Sequence, residues 1–242
     1  HLPQGVLGEP AGDEVDVHGK PKNPKRGAPI QYDTALLTSL LAFGFVADTR
    51  ELGCGRHSMI LEGLVTTVDS DGQVHLAAMG PSVDEAERLT GRFRRFLLRP
   101  FPTSQTAAHL LRTRVGVFHL TDDALLLARI VAGRLTEQPS VRPATAVAGF
   151  VLAEACLAYE FEVSAVDDSA ERLCLEATVV ATHIGRPFLG FNRAAHAVLE
   201  AAILVTRLHL LNGGEVRRRF AELRPLVEKT GGGREREAFE LL

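Results

Sequence analysis

The fold of this chain is decided by the stretch Val151-Leu152-Ala153-Glu154-Ala155-Cys156-Leu157-Ala158-Tyr159-Glu160-Phe161-Glu162-Val163-Ser164. Every second residue from Val151 to Val163 is apolar, and polar side chains stand between them at Glu154, Glu160, Glu162 and Ser164. A period of two predicts a strand with one buried face. Asp167-Asp168-Ser169 follows as a turn, and apolar residues alternate again over 173–181. The sequence therefore predicts a long antiparallel hairpin with one solvated face.

Shorter strands are predicted ahead of this hairpin. Apolar and β-branched residues fill 58–68 and 73–79, and the link Asp69-Ser70-Asp71-Gly72 between them is typical of a hairpin turn. Residues 92–99 and 115–120 predict two further strands. Together these make about six mostly antiparallel strands. Six such strands commonly close into a small barrel, which removes exposed sheet edges.

Helical signals lie between the strands and after them. Ser82 and Glu85 have the spacing of a capping box, which predicts a helix over 82–89. Polar residues at 103–106 and 121–123 open two more short helices. From Asn192 the apolar period becomes helical. Residues 192–211 and 215–229 then predict an antiparallel helical hairpin, because the loop between them is short.

The first part of the chain differs from the rest. Residues 1–33 hold five Pro, five Gly and only nine hydrophobic residues, too few to offset the entropy of ordering. We therefore expect a disordered or loosely packed extension over 1–55, with at most a short helix at 34–46. The predicted fold is α+β, with a six-stranded, mostly antiparallel barrel over 56–186 and a helical tail over 187–242.

Composition excludes several classes of protein. The formal charge of −3 over 242 residues lacks the basic footprint of a nucleic-acid-binding protein. No apolar run approaches the roughly 20 residues that a membrane-spanning helix needs. The three cysteines, Cys54, Cys156 and Cys174, form no CxxC pair, and the predicted hairpin register keeps the last two apart. This pattern favours a cytoplasmic location over a disulfide-stapled secreted fold.

Motifs for side-chain catalysis are missing from the sequence. There is no GxSxG, SxxK, HExxH or GxxxxGK[ST] pattern, and none of the nine His residues has a His partner four positions away. No metal site is predicted, and no side chain is assigned as catalytic. Each His is better explained as a residue of the core edge or the surface than as a ligand.

The strongest candidate site is Arg99-Pro100-Phe101-Pro102-Thr103-Ser104-Gln105-Thr106. Hydroxyl and amide side chains stand here where a helix begins, and the free N–H groups and positive dipole end of a helix bind phosphate. Arg99, at the end of the preceding strand, can add a bidentate charge. The alternative is that Thr103 or Ser104 is only the N-cap of this helix.

Two weaker candidates stand beside it. In Ala77-Ala78-Met79-Gly80-Pro81-Ser82, small residues at a strand end let a flat ligand approach the backbone closely, although a plain strand end with a turn has the same pattern. The segment from Arg186-Pro187-Phe188 to Asn192-Arg193 places polar residues before an apolar helix. These residues either cap that helix or reach back to the barrel.

In their order and spacing, these segments resemble the FMN-binding split-barrel (flavin-reductase-like) superfamily. The resemblance covers 57–242 and rests on Val65-Thr66-Thr67, the Asp71-Gly72 turn, His75-Leu76-Ala77-Ala78-Met79-Gly80, Arg99-Pro100-Phe101 with Ser104-Gln105-Thr106, and Leu120-Thr121-Asp122-Asp123. Phe191-Asn192-Arg193-Ala194 and 224–230 are similar to the helical tail of an uncharacterised branch found in methanogenic archaea and planctomycetes. The superfamily often has Asn where this chain has His75 and Pro where it has Ala78.

The resemblance implies FMN held noncovalently at a homodimer interface. Its phosphate would lie on Arg99, Ser104, Gln105 and Thr106, and its isoalloxazine ring along Ala78, Met79 and Gly80. Thr66, Phe101 and Asn192 complete the implied cofactor-binding set. Such proteins pass hydride or electrons between NAD(P)H or a reduced deazaflavin and a second acceptor, and the cofactor performs the chemistry. Three functions stay open: an FMN-dependent oxidoreductase, a noncatalytic flavin or small-ligand binding protein, and a ligand-free dimerisation module.

Overall fold

The computed structural model describes residues 58–242, so the predicted extension over 1–55 lies outside the described residues. The strands are β1 (Ser58–Ile60), β2 (Gly63–Val68), β3 (Val74–Met79), β4 (Ser82–Asp84), β5 (Arg95–Leu98), β6 (Val115–Leu120), β7 (Val141–Pro143), β8 (Phe150–Leu152), β9 (Leu157–Asp167) and β10 (Cys174–Ile184). The helices are α1 (Gln105–Thr113), α2 (Ala124–Val131), α3 (Arg193–Thr206), α4 (Gly213–Thr230) and α5 (Gly233–Leu241).

Eight strands form one antiparallel sheet in the order β1-β4-β5-β10-β9-β6-β2-β3. Four of these strands form a single bent hairpin, in which β1 and β2 are one arm and β3 and β4 are the other. Gly63 faces Met79 in the β2–β3 ladder, Ile60 faces Ser82 in the β1–β4 ladder, and the two registers are in phase. The Leu61 N–H donates to the Pro81 carbonyl at 3.1 Å across the bend.

This bent hairpin closes the sheet into a barrel. One arm pairs with β6 through β2, and the other arm pairs with β5 through β4. The sheet has eight strands where six were predicted, because two of its six hydrogen-bonded arms are interrupted, at 61–62 and at 80–81. The α+β class and the mostly antiparallel sheet are confirmed.

The long hairpin is formed by β9 and β10, but it begins later than the sequence pattern predicts. Leu157 faces Ile184 at one end and Asp167 faces Cys174 at the other. The alternation over 151–156 belongs instead to β8, which pairs with β7 in a separate two-stranded sheet, and to the turn after it. Cys174 is opposite Asp167 and not Cys156, and both cysteines are free thiols, as the register prediction requires.

Two helix predictions need correction. Ser82 lies in β4 and caps nothing, and only a short 3₁₀ turn follows at Glu85–Glu87, with Asp84 as its N-cap. The tail has three helices and not two, because Gly231 ends α4 while the N–H of Gly232 donates to the Glu235 carboxylate at 2.8 Å and starts α5. The sequence did not predict α5 because most of its residues are charged, and only Ala238 and Phe239 are buried.

The core has two main parts. Inside the barrel, the ring of Phe96 packs edge to face against three other rings at centroid distances of 5.4–6.1 Å, those of Phe118, Tyr159 and Phe161. A second cluster joins α2 to the tail, with Ala128 of α2 against the alanine face of α3 and Phe239 of α5. The tail therefore shares its core with a helix of the barrel region. Within 58–242, no helix has both the length and the apolar character required to cross a bilayer.

Candidate functional site

The predicted phosphate segment lies where β5 leads into α1. Ser104 is the N-cap of α1, and its Oγ accepts the Ala107 N–H at 3.1 Å and donates to the Phe101 carbonyl at 2.8 Å. The hydroxyl has one proton, so Ser104 acts as a cap in this structure. The N–H groups of Gln105 and Thr106 come next and have no acceptor inside the helix. These two amides are therefore the donors that α1 offers to a ligand.

Two histidines and two threonines connect the start of α1 to the β2–β3 hairpin. His75 Nε2 lies 3.2 Å from Thr106 Oγ1, and His109 Nδ1 lies 3.0 Å from Thr67 Oγ1. The imidazole rings of His75 and His109 meet edge to face with centroids 5.2 Å apart. We call these four residues the histidine cluster. Sequence reasoning missed it, although the hairpin turn at 69–72 sets the register that places Thr67 opposite His75.

Within the histidine cluster, the surroundings of His75 favour its uncharged imidazole. Burial lowers the pKa of His75 below its usual 6.5, and the neighbouring His109 lowers it further, while Asp69 acts in the opposite direction. His75 is therefore mostly neutral at pH 7. A neutral ring can donate or accept at Thr106, and an anion bound nearby would favour its protonated form.

Arg99 and Phe101 face the β9–β10 turn region. Arg99 is half-buried beside the Cys174 thiol, whose pKa is raised by burial and lowered by the charge of Arg99. The Phe101 ring is 42% exposed, and the Arg172 guanidinium lies 4.1 Å from its centroid. That distance is a cation–π contact, so one face of Phe101 is already covered by a basic side chain.

The predicted ring edge at Ala78, Met79 and Gly80 is accessible at the end of β3, where Ala78 is exposed. A Cβ added to Gly80 would lie 2.9 Å from Ile60 Cγ2 and 3.0 Å from Glu62 Oε2, so the close approach of these two side chains explains this glycine. Sequence reasoning missed Glu62. Burial and the charge of Glu200 raise the pKa of this carboxyl, and Arg207 opposes them.

Thr66 and Asn192 are engaged elsewhere. Thr66 is 2% exposed and donates to the Phe150 carbonyl at 2.6 Å, and it projects from the opposite face of β2 to Thr67. Asn192 is the N-cap of α3 and accepts the N–H groups of Ala194 and Ala195 at 2.8 and 3.2 Å. No hydrogen bond within 58–242 joins either side chain to α1, whereas Arg99 to Thr106 lie together on one segment.

The barrel, its helical tail and the segment before α1 define a split-barrel protein. An FMN-bound protein from Methanosarcina mazei, described by the family model DUF447, superposes with a TM-score of 0.63 at 21% identity. The superposition covers 75% of this chain and 92% of that chain. The model of the N-terminal domain of DUF447, a protein of unknown function, matches residues 61–186, and the DUF447 model of the C-terminal part matches residues 192–242. The chain therefore belongs to the DUF447 family.

Other solved structures are more distantly similar. An FMN-binding protein from Thermus thermophilus, solved with 1-cyclohex-2-enone, aligns at 17% identity and a TM-score of 0.43, covering 57% of this chain and 81% of that chain. The flavin reductase of styrene monooxygenase from Pseudomonas putida S12 aligns at 13% identity and a TM-score of 0.42, covering 54% and 82%. Among curated proteins, none matches this sequence significantly.

Proposed function

We propose that this chain binds FMN noncovalently and uses it as an oxidoreductase. The observation that carries the proposal is the shared fold with a family member solved with FMN, which extends over 75% of this chain. Among the residues implied by the superfamily resemblance, those of the segment before α1 and of the edge of β3 suit such a ligand. The proposal includes a homodimer, because the resemblance implies a cofactor at a dimer interface, and a cytoplasmic location, which the cysteine pattern favours.

The donors before and within α1 fit a phosphate group. The amides of Gln105 and Thr106, the exposed carboxamide of Gln105 and the guanidinium of Arg99 are the donor types that a phosphate monoester accepts. In this proposal Ser104 shapes the helix start as its cap, because its only proton is donated to Phe101. The Thr106 side chain is in contact with His75 of β3, its Oγ1 lying 3.2 Å from the imidazole Nε2.

The edge of β3 fits the planar part of the cofactor. β3 ends the strand order of the sheet, so among the described strands only β2 pairs with it. The outer backbone groups of β3 are therefore free to bond the edge of a heterocycle, and the small side chain of Ala78 permits close approach. FMN, when bound, would supply hydride or electron transfer with NAD(P)H or a reduced deazaflavin as the donor. The chain would bind and orient it.

Binding is tested by comparing FMN with riboflavin, which lacks the phosphate. We expect the purified chain to quench FMN fluorescence on binding and to show flavin absorbance. Arg99→Gln should weaken FMN binding about tenfold, which corresponds to about 1.4 kcal/mol, and should leave riboflavin binding unchanged. Arg95→Gln is the matched control, because Arg95 is an exposed arginine at the other end of β5.

The outcomes separate the open functions. A chain that binds neither flavin would contradict the proposal and favour a ligand-free module. Anaerobic addition of NADH, NADPH or a reduced deazaflavin then distinguishes an oxidoreductase from a flavin carrier, since only an oxidoreductase bleaches the bound flavin at a catalytically useful rate. If Arg99→Gln and Arg95→Gln bind FMN as tightly as the original chain, the phosphate does not lie on Arg99.

A further inference from the structure

A cavity of about 250 Å³ lies outside the segment proposed for FMN. Its walls are β8, the turn that follows β8, and the last residues of β10. Val151, Leu152 and Ala158 give it an apolar floor, and Arg142, His183 and Arg186 supply its charged and titratable side chains. None of these residues belongs to the cofactor-binding set, so the cavity is a separate feature of the molecule.

The imidazole of His183 is fixed by a buried carboxylate. Glu160 is 0% exposed, and its Oε1 lies 2.5 Å from His183 Nε2. The same carboxylate accepts the N–H groups of Thr145, Ala146 and Val147 at 2.6–2.9 Å. Burial raises the pKa of Glu160, but these hydrogen bonds outweigh it and lower the pKa to about 2. Nε2 of His183 therefore donates to a permanent anion, and Nδ1 is the ring nitrogen left for a ligand.

The two arginines of the cavity differ in their partners. Arg186 forms an ion pair with Asp122, and its Nε donates to the Glu154 carbonyl at 2.9 Å. Arg142 makes no hydrogen bond or ion pair with any residue in 58–242, and its side chain is exposed at the cavity wall. The cavity therefore has one guanidinium whose charge and five N–H donors are unused.

We propose that this cavity binds a small organic carboxylate. The carboxylate group would be held by Arg142, the planar donor that matches it in a bidentate manner, and the His183 ring lines the same cavity beside it, where its signals report binding. The short carbon chain would lie on Val151, Leu152 and Ala158. The volume of about 250 Å³ is just below the range of roughly 300–1,000 Å³ for drug-sized ligands, so the ligand has only a few carbon atoms. A single unpaired guanidinium favours one negative charge over the two of a phosphate.

The experiment is an NMR titration of the full chain with sodium butyrate, followed on the His183 ring signals after their assignment with His183→Asn. We expect a saturable shift of the His183 signals and no shift of the His75 signals. Arg142→Gln should weaken butyrate binding at least tenfold. Arg142→Lys keeps the charge but loses the planar guanidinium, so its affinity for butyrate should lie between those of Arg142→Gln and the original chain. Inorganic phosphate at the same concentration should bind more weakly than butyrate.

Arg134→Gln is the control, because Arg134 is an exposed arginine in the loop before β7 and does not line the cavity. It should leave butyrate binding unchanged. A shift that never saturates, or equal affinity of Arg142→Gln and the original chain, would overturn the proposal. Tighter binding of inorganic phosphate than of butyrate would overturn the carboxylate assignment. Since Arg142 is exposed, its variants keep the fold, and their thermal unfolding should match that of the original chain.

Discussion

The Nε2 atom of His75 lies 3.2 Å from Oγ1 of Thr106, the second residue of α1. This contact joins the β2–β3 hairpin to the start of a helix that follows it by some thirty residues. It also places a titratable ring next to the amides that we propose as phosphate donors. The charge state of His75 should therefore report whether an anion occupies this end of α1.

FMN should raise the pKa of His75. The ring is partly buried and its pKa is low in the free protein, and a nearby phosphate dianion stabilises the imidazolium form. We expect the pKa of His75 to be higher with FMN than without it, as measured by following the His75 ring signals against pH by NMR. Riboflavin should leave the pKa unchanged. An equal effect of FMN and riboflavin would place the phosphate away from the histidine cluster.

Glu160→Gln should destabilise the fold by about 3 kcal/mol, because the amide of Gln would face N–H donors of Thr145, Ala146 and Val147. Urea unfolding at pH 7 measures this loss. Glu162→Gln, at an exposed position of the same strand, is the control and should change stability by less than about 0.5 kcal/mol. In the original chain, the contribution of Glu160 is present above its ordinary pKa of 4.5 and is lost as the pH falls toward about 2. Equal stability of the two variants would contradict this role.

His119 should make the fold less stable in mild acid. Its ring is 0% exposed, its Nε2 accepts the Leu152 N–H at 3.0 Å, and its Nδ1 lies 3.3 Å from the Leu64 carbonyl. Burial lowers its pKa from 6.5 to about 4, so between these values the unfolded chain binds a proton that the folded chain does not. Stability should therefore fall by about 3 kcal/mol as the pH drops from 6.5 to 4.

The measurement for His119 compares the original chain with His119→Gln by urea unfolding at pH 7 and pH 4.5. Glutamine offers one donor and one acceptor but does not titrate, so the difference between the two chains should shrink at the lower pH. A constant difference across this range would show that His119 does not control the acid sensitivity.

Gly185→Ala should be severe, because a Cβ there would lie 1.9 Å from the Ala155 carbonyl oxygen, a backbone atom of the turn before β9. We expect a loss of about 3 kcal/mol of unfolding free energy. Gly149→Ala is the control, since its Cβ would meet only the Val117 and Val147 methyl groups at 3.5 Å, an ordinary contact. Thermal unfolding of both variants tests the difference, and similar midpoints would contradict it.

Local signals made much of the fold predictable. The bounds of β6, the N-caps Ser104 and Asp123, and the long hairpin of β9 and β10 all follow from residues close in sequence. The six arms of the barrel were predictable for the same reason, since each has its own apolar pattern and turn. The bend between β1 and β2 was not, because it depends on the way Leu61 meets Pro81 from the other arm.

The features that could not be predicted from the sequence depend on contacts between residues that are distant in the chain. The alternation over 151–163 continues without a break, yet the chain turns after Leu152, whose backbone N–H donates to Nε2 of His119 on β6. Similarly, the roles of Glu62 and Arg142 depend on neighbours that are distant in sequence, and neither belongs to a motif. The segment from Arg99 to Thr106 was visible because a phosphate site at a helix start is itself a local pattern.

The bent hairpin leaves the barrel with one weak seam. β4 and β5 share a single residue pair, Ser82 opposite Leu97, whereas β9 and β10 share ten. The local free energy of opening should therefore be lowest along this seam, and amide protons there should exchange with deuterium while those of β9 and β10 stay protected. We therefore expect the barrel to open first between β4 and β5, at the pair Ser82 and Leu97, while the ten pairs of β9 and β10 hold.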